Sequence, residues 1–125
     1  TIGDLMHTGD QVPIVYENSD LSVIISEMTQ KRLGVTLITN KKKQLKGIIT
    51  DGDLRRMIED KKDISKIRAL DLSKSFPKWL EHNNLATKAV QLMEKHTITS
   101  LVVSANGKKI DGIIHLHDLL KAGII

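Results

Sequence analysis

The 125-residue chain contains no cysteine. Disulfides and thiolate-held metals are therefore excluded, and the composition suits a reducing cytoplasm. Aromatic residues are scarce: Tyr16, Phe76 and Trp79 are the full set. The core must then be built from Ile, Leu, Val and Met, and no aromatic is interleaved with the lysines at 41–43 and 46 to give nucleic-acid bases a stacking platform there. No apolar run approaches the roughly 20 residues that cross a bilayer. The opening TIGDLMHTGD has no basic stretch followed by an apolar one, so it does not read as a secretion signal. The chain is expected to be a cytoplasmic piece of a longer protein, with no membrane partner.

Apolar residues make up 40% of the chain, enough for one domain or for two small units. Nineteen Lys and Arg against fifteen Asp and Glu leave a net charge of +4. Part of that excess sits in Lys41, Lys42, Lys43 and Lys46, between two apolar runs. That is the pattern of a solvated hairpin tip, and nucleic acid is not an expected partner.

What the chain does have is a repeat. GIITDGDLRR, from Gly47, returns as GIIHLHDLLK, from Gly112, at an offset of 65 (112 minus 47). At the same offset Met28 falls on Met93, Leu37 on Val102, Ile38 on Val103 and Lys43 on Lys108, with no gap from Met28 to Arg56. Asp4-Leu5-Met6 has an echo in Asp71-Leu72-Ser73. Two copies of such length imply two similar units that bury faces against each other.

Each copy has the same local grammar. Leu21, Ile24, Ile25 and Met28 share one face of a helix, as do Leu85, Ala89, Leu92 and Met93. Val35 to Thr39 and Ser100 to Val103 are short β-branched runs that read as buried strands. A polar turn follows, Asn106-Gly107 in the second copy, and the chain returns as a strand at Gly47 and Gly112. A further helix opens at Asp51 and at Leu116. Extended pieces lead each copy, with Pro13 and Pro77 placed where an edge needs no ladder donor. The expectation is an α+β fold: two β-α-β-β-α units over residues 1–67 and 79–125, joined by a linker over 68–78, with pseudo-two-fold symmetry.

Thr50-x-x-Asp53 sits where strand becomes helix. Its plain reading is a capping box, worth roughly 0.5–2 kcal/mol. The same corner can serve a nucleotide: free N–H groups and a hydroxyl for phosphate, and a carboxylate for the ribose hydroxyls. In the second copy His115 replaces the threonine while Asp118 stays.

On Asp4-Leu5-Met6, Met28 and Gly47 to Leu54, the repeat resembles the cystathionine β-synthase-type (CBS) domain, which occurs in tandem pairs. The resemblance implies clefts between units that bind adenosine nucleotides or related ligands and regulate an attached protein. His7-Thr8-Gly9-Asp10, Thr50 to Arg56, His115 to Leu120 and the ending Ala122-Gly123-Ile124-Ile125 look like the C-terminal CBS pair of bacterial D-arabinose 5-phosphate isomerases. Those enzymes supply the 3-deoxy-D-manno-octulosonate (Kdo) branch of lipopolysaccharide or capsule synthesis. The resemblance implies that catalysis belongs to a separate sugar-isomerase domain and that this piece is not itself an enzyme.

The candidate ligand set is Val12, Pro13, Val35, Thr50 and Asp53 from the first copy and Ser100, His115 and Asp118 from the second. AMP, ATP or a CMP-activated sugar is the ligand class, and no cofactor is required. The partners are the isomerase domain and a second copy of the chain. The alternative is a ligand-free dimerisation module that organises the isomerase oligomer. His115 and His117 do not by themselves make a metal site, since zinc takes three or four ligands. Arg55 and Arg56 read as a solvated helix face, with phosphate as the sharper reading. Trp79 reads either as a stacking surface for a base or as a buried interface aromatic.

Overall fold

The computed structural model describes residues 1–60 and 63–125. In chain order these form α1 (Ile2–Leu5), β1 (Ile14–Tyr16), α2 (Leu21–Lys31), β2 (Val35–Thr39), β3 (Leu45–Thr50), α3 (Asp51–Glu59), α4 (Ala69–Leu72), β4 (Trp79–Leu80), α5 (Ala86–His96), β5 (Ser100–Val103), β6 (Gly112–His115) and α6 (Leu116–Lys121). Strands and helices mix as an α+β fold, with two three-stranded sheets among the described residues.

The two sheets repeat one plan. In the first, β1 runs parallel to β2, and β2 runs antiparallel to β3, with Val35 opposite Thr50 and Leu37 opposite Ile48. In the second, β4 runs parallel to β5, and β5 runs antiparallel to β6, with Ser100 opposite His115 and Val102 opposite Ile113. β2 and β5 are central and buried at every position, which is why both read as continuous apolar runs rather than alternating ones. β1 and β4 are edges, and Pro13 and Pro77 stand just ahead of them, where the missing N–H costs no ladder bond.

α2 starts on Asp20, whose carboxylate accepts the Val23 N–H at 3.1 Å. It ends on Arg32 at φ 63°, and α5 ends on Thr97 at φ 53°, 65 positions later (97 minus 32). The apolar stripe of α2 buries Ile24 and Met28 against Ile38, Ile49 and Met57. Ala89 and Met93 of α5 do the same against Leu101, Ile114 and Leu119.

The described residues divide into two compact units: Pro13–Phe76, and Thr1–Val12 together with Pro77–Ile125. This differs from a division at 1–67, 68–78 and 79–125. The reason is that each short leading helix completes the repeat it does not precede. α1 donates Ile2 N–H to Asn84 O at 2.9 Å and Gly3 N–H to His82 O at 2.8 Å. α4 donates Ala69 N–H to Ser19 O at 2.9 Å and Leu70 N–H to Glu17 O at 3.0 Å. Ile2 is fully buried in the core built on α5, β5 and β6, and Leu72 lies in the core built on α2, β2 and β3. Ala69–Leu72, inside the stretch expected to be linker, forms a helix packed on the core of α2, β2 and β3.

Candidate functional site

Each repeat places its chemistry at the corner where the last strand becomes the last helix. In the first repeat Thr50 is the N-cap of α3. Its hydroxyl accepts the Asp53 N–H at 3.2 Å and donates to Asp53 Oδ2 at 3.1 Å, while the Thr50 N–H donates to the same Oδ2 at 2.8 Å. The capping box read from Thr50-x-x-Asp53 is thus formed in full. The second carboxylate oxygen, Oδ1, takes the Arg56 guanidinium at 2.6 Å. Asp53 is only 8% exposed, whereas the Arg56 side chain is half exposed. A hydroxyl of a ligand reaching Asp53 would share Oδ1 with Arg56 or displace it, because Oδ2 already accepts two donors. Val35 lies opposite Thr50 in the β2–β3 register. Pro13 is buried, and its carbonyl accepts the Leu37 N–H at 2.9 Å.

The second repeat builds a related corner from different groups. His115 is the N-cap of α6, and its Nδ1 accepts the His117 N–H at 3.0 Å. The His115 N–H donates to Asp118 Oδ2 at 2.8 Å, as Thr50 does to Asp53. In place of an arginine, His7 meets the carboxylate: its Nε2 lies 2.9 and 3.0 Å from Oδ1 and Oδ2 of Asp118. His7 Nδ1 faces Gln11 Oε1 at 3.2 Å. Burial pushes the His115 imidazole below its ordinary pKa, the neighbouring His117 and then His7 push it the same way, and only Asp118 opposes them.

Ser100 lies opposite His115 in the β5–β6 register. Its hydroxyl oxygen is buried and, among the described residues, has no hydrogen-bond partner. Leaving such a group unsatisfied costs about 1–3 kcal/mol. Val12 is buried in the unit that holds this corner, with its N–H on Gly9 O at 3.1 Å.

The candidate residues therefore fall into two sets. Pro13, Val35, Thr50 and Asp53 belong to one compact unit, and Val12, Ser100, His115 and Asp118 to the other. Within the sets, Thr50 joins Asp53 and His115 joins Asp118 by direct hydrogen bonds. The sequence alone marks Arg56 as a surface residue and gives His7 no role at the corner. Arg56 was findable, since Asp53 and Arg56 are three apart on one helix. His7 was not, because 111 residues separate it from Asp118. Trp79 covers Gly107 at the tip of the second hairpin, where a Cβ would lie 2.8 Å from the indole.

Among the described residues no group of three or more His, Cys, Asp or Glu has an arrangement that holds a metal ion. No described helix is long and apolar enough to cross a membrane. A groove of about 500 Å³ runs between α2 and α3, lined by Ile25, Met28, Thr29, Arg32, Asp51 and Leu54. Val23, Ile25 and Ile58 on these two helices are exposed.

The family model for the CBS domain matches residues 2–60 and 71–124. Over 124 residues the chain is 39% identical to arabinose 5-phosphate isomerase KdsD of Yersinia pestis, covering 99% of this chain and 38% of that protein. The chain thus spans well under half the length of this curated relative. The crystal structure of CBSX2 in complex with AMP superposes with a TM-score of 0.84 at 20% identity, covering 99% of this chain and 96% of that one. The CBS domain protein PAE2072 from Pyrobaculum aerophilum, complexed with AMP, superposes with a TM-score of 0.82 at 19% identity, covering 99% and 98% of the two chains. At these identities the likeness is one of fold.

Proposed function

Because the chain belongs to the CBS domain family, as a tandem pair, we propose that it is a regulatory module that binds a nucleotide or nucleotide sugar at its strand-to-helix corners. The observation that carries this reading is the repetition of one corner with one carboxylate, Asp53 and then Asp118, each hydrogen-bonded to the strand end it follows. The buried hydroxyl of Ser100, beside the second corner and without a partner among the described residues, supports it. So do the AMP complexes of the two structural neighbours. Val12, Pro13, Val35, Thr50, Asp53, Ser100, His115 and Asp118 are the proposed contacts.

The similarity to KdsD supports reading the module as part of an arabinose 5-phosphate isomerase that would act in the cytoplasm on the Kdo branch of lipopolysaccharide or capsule synthesis. The chain would sense a nucleotide or a CMP-activated sugar and modulate a sugar-isomerase domain lying outside it. Catalysis is assigned to that domain. Thermal shift with AMP, ATP, CMP and CMP-activated Kdo tests the reading. A ligand at a hundred times its Kd stabilises by about 2.7 kcal/mol, and Asp53→Ala or Asp118→Ala should remove the shift for the corner it serves. No shift with any of the four would overturn ligand binding.

A second reading is favoured by one observation. The groove between α2 and α3 has an apolar floor with Arg32 and Asp51 on the same surface, a charge pair that could complement itself across a two-fold axis. On that reading the pair is a dimerisation module of the isomerase oligomer. Sedimentation of wild type and of Ile25→Glu separates the two. A dimer lost in the variant with nucleotide shifts unchanged makes the groove an assembly surface only.

A further inference from the structure

We propose that the corner of the second repeat is a proton-responsive latch, closed by a neutral His115 and opened when that ring takes up a proton. The geometry carries this. His115 Nδ1 is the acceptor for the His117 backbone N–H at 3.0 Å. A ring nitrogen accepts only while it is unprotonated, so the neutral ring must carry its hydrogen on Nε2. Protonation can then occur only on Nδ1, and it sets two donors face to face. The first turn of α6 loses its cap. At the same position of the first repeat, Thr50 uses a hydroxyl that stays an acceptor throughout the physiological range.

The titratable groups acting on the ring are His117 and Asp118 from α6 and His7 from the segment after α1. Across the sheet, β5 contributes Ser100, which does not titrate. The His117 ring lies 4.4 Å from the His115 ring, centroid to centroid. Both imidazoles charged would repel at that distance.

Opening has a path to the rest of the unit. Asp118 holds both the His115 N–H and His7 Nε2. The backbone of His7 in turn exchanges hydrogen bonds with Ile113, N–H to O at 2.8 Å and O to N–H at 3.1 Å. Loosening α6 therefore releases the His7 side chain from Asp118, while the His7 backbone stays paired with β6.

The sign follows from linkage. The folded pKa of His115 lies below its ordinary 6.5, with burial as the main cause. The unfolded chain therefore binds the proton first. The stability contributed by the neutral cap is fully present above that ordinary value and is lost as pH falls through the folded one. Among the described residues the two other displaced groups, Asp4 and Asp63, are carboxylates pulled below 3.8 and do not titrate in this window.

The test compares melting temperature with pH in the chain and in His115→Thr, which installs the cap of the first repeat. Wild type should lose on the order of 5 °C more than the variant between about pH 7 and pH 5. Parallel profiles would overturn the latch. Should His115→Thr fail to fold, His115→Asn supplies the same acceptor, and the wild-type ring can be titrated by NMR. A His115 midpoint below 6.5, with the His117 amide shifting at the same midpoint, supports the latch. A midpoint at or above 6.5, or an amide that does not follow it, overturns it. Neither readout involves a nucleotide, so the outcome stands apart from the ligand-binding reading.

Discussion

Gly47 and Gly112 hold the same place in the two repeats because another part of the chain needs the space. A Cβ at Gly47 would overlap the Ser73 hydroxyl, which accepts the Ile48 N–H at 3.2 Å. A Cβ at Gly112 would sit 2.5 Å from the His7 carbonyl oxygen. The first obstacle is the Ser73 hydroxyl, which can rotate, and the Ser73 Cβ at 2.9 Å, which cannot; the second is backbone held on both sides by Ile113. Gly112→Ala should therefore destabilise by about 1–3 kcal/mol or more, and Gly47→Ala by less, as chemical denaturation of both variants would record. Ser100 gives a prediction of the opposite sign. Removing a buried hydroxyl that has no partner among the described residues should leave Ser100→Ala as stable as wild type or more so, by up to about 1 kcal/mol. If Ser100 also contacts the nucleotide, the same variant should lose part of the ligand-induced thermal shift. A variant that is destabilised without ligand would mean that the hydroxyl is satisfied in solution.

At the scale of elements, the repeated punctuation is as informative as the repeated stripes. α2 and α5 both end on a non-glycine residue in the left-handed region, Arg32 and Thr97. For a β-branched residue such a conformation costs roughly 1–2 kcal/mol. Thr97→Gly should thus raise stability by about 1 kcal/mol, less than the full strain because glycine also loosens the unfolded chain; an equilibrium melt that shows no gain would mean that the Thr97 side chain compensates locally. The strands and the longer helices were legible in the sequence because their signals are local, whereas α1 and α4 were not. A spacing of three and four marked the face of α2, β-branched runs marked β2 and β5, and Thr50-x-x-Asp53 marked the start of α3. Local signals also found half of each corner, the cap and its carboxylate. They could not find the other half. The cation that meets Asp53 is Arg56, on the same helix, but the group that meets Asp118 is His7, brought from the far end of the chain. Nothing local in His7-Thr8-Gly9-Asp10 states that contact.

At the scale of the whole molecule, the sequence repeat and the folded unit are different divisions of one chain. Two short helices of similar sequence, α1 and α4, each begin one repeat and finish the other. The exchange follows from burial: Ile2 and Leu72 are apolar residues on helices of four residues, too short to stand alone, so each helix must borrow a sheet. This makes a test of cooperativity. Ile2→Ala empties a fully buried site and should cost about 2–5 kcal/mol, and Leu72→Ala should cost a similar amount. If the compact units open independently, hydrogen exchange should quicken in β5 and β6 for Ile2→Ala, and in β2 and β3 for Leu72→Ala. Each substitution would then act on the repeat that its own helix does not precede. If both variants quicken exchange equally in all four strands, the two units open together rather than independently.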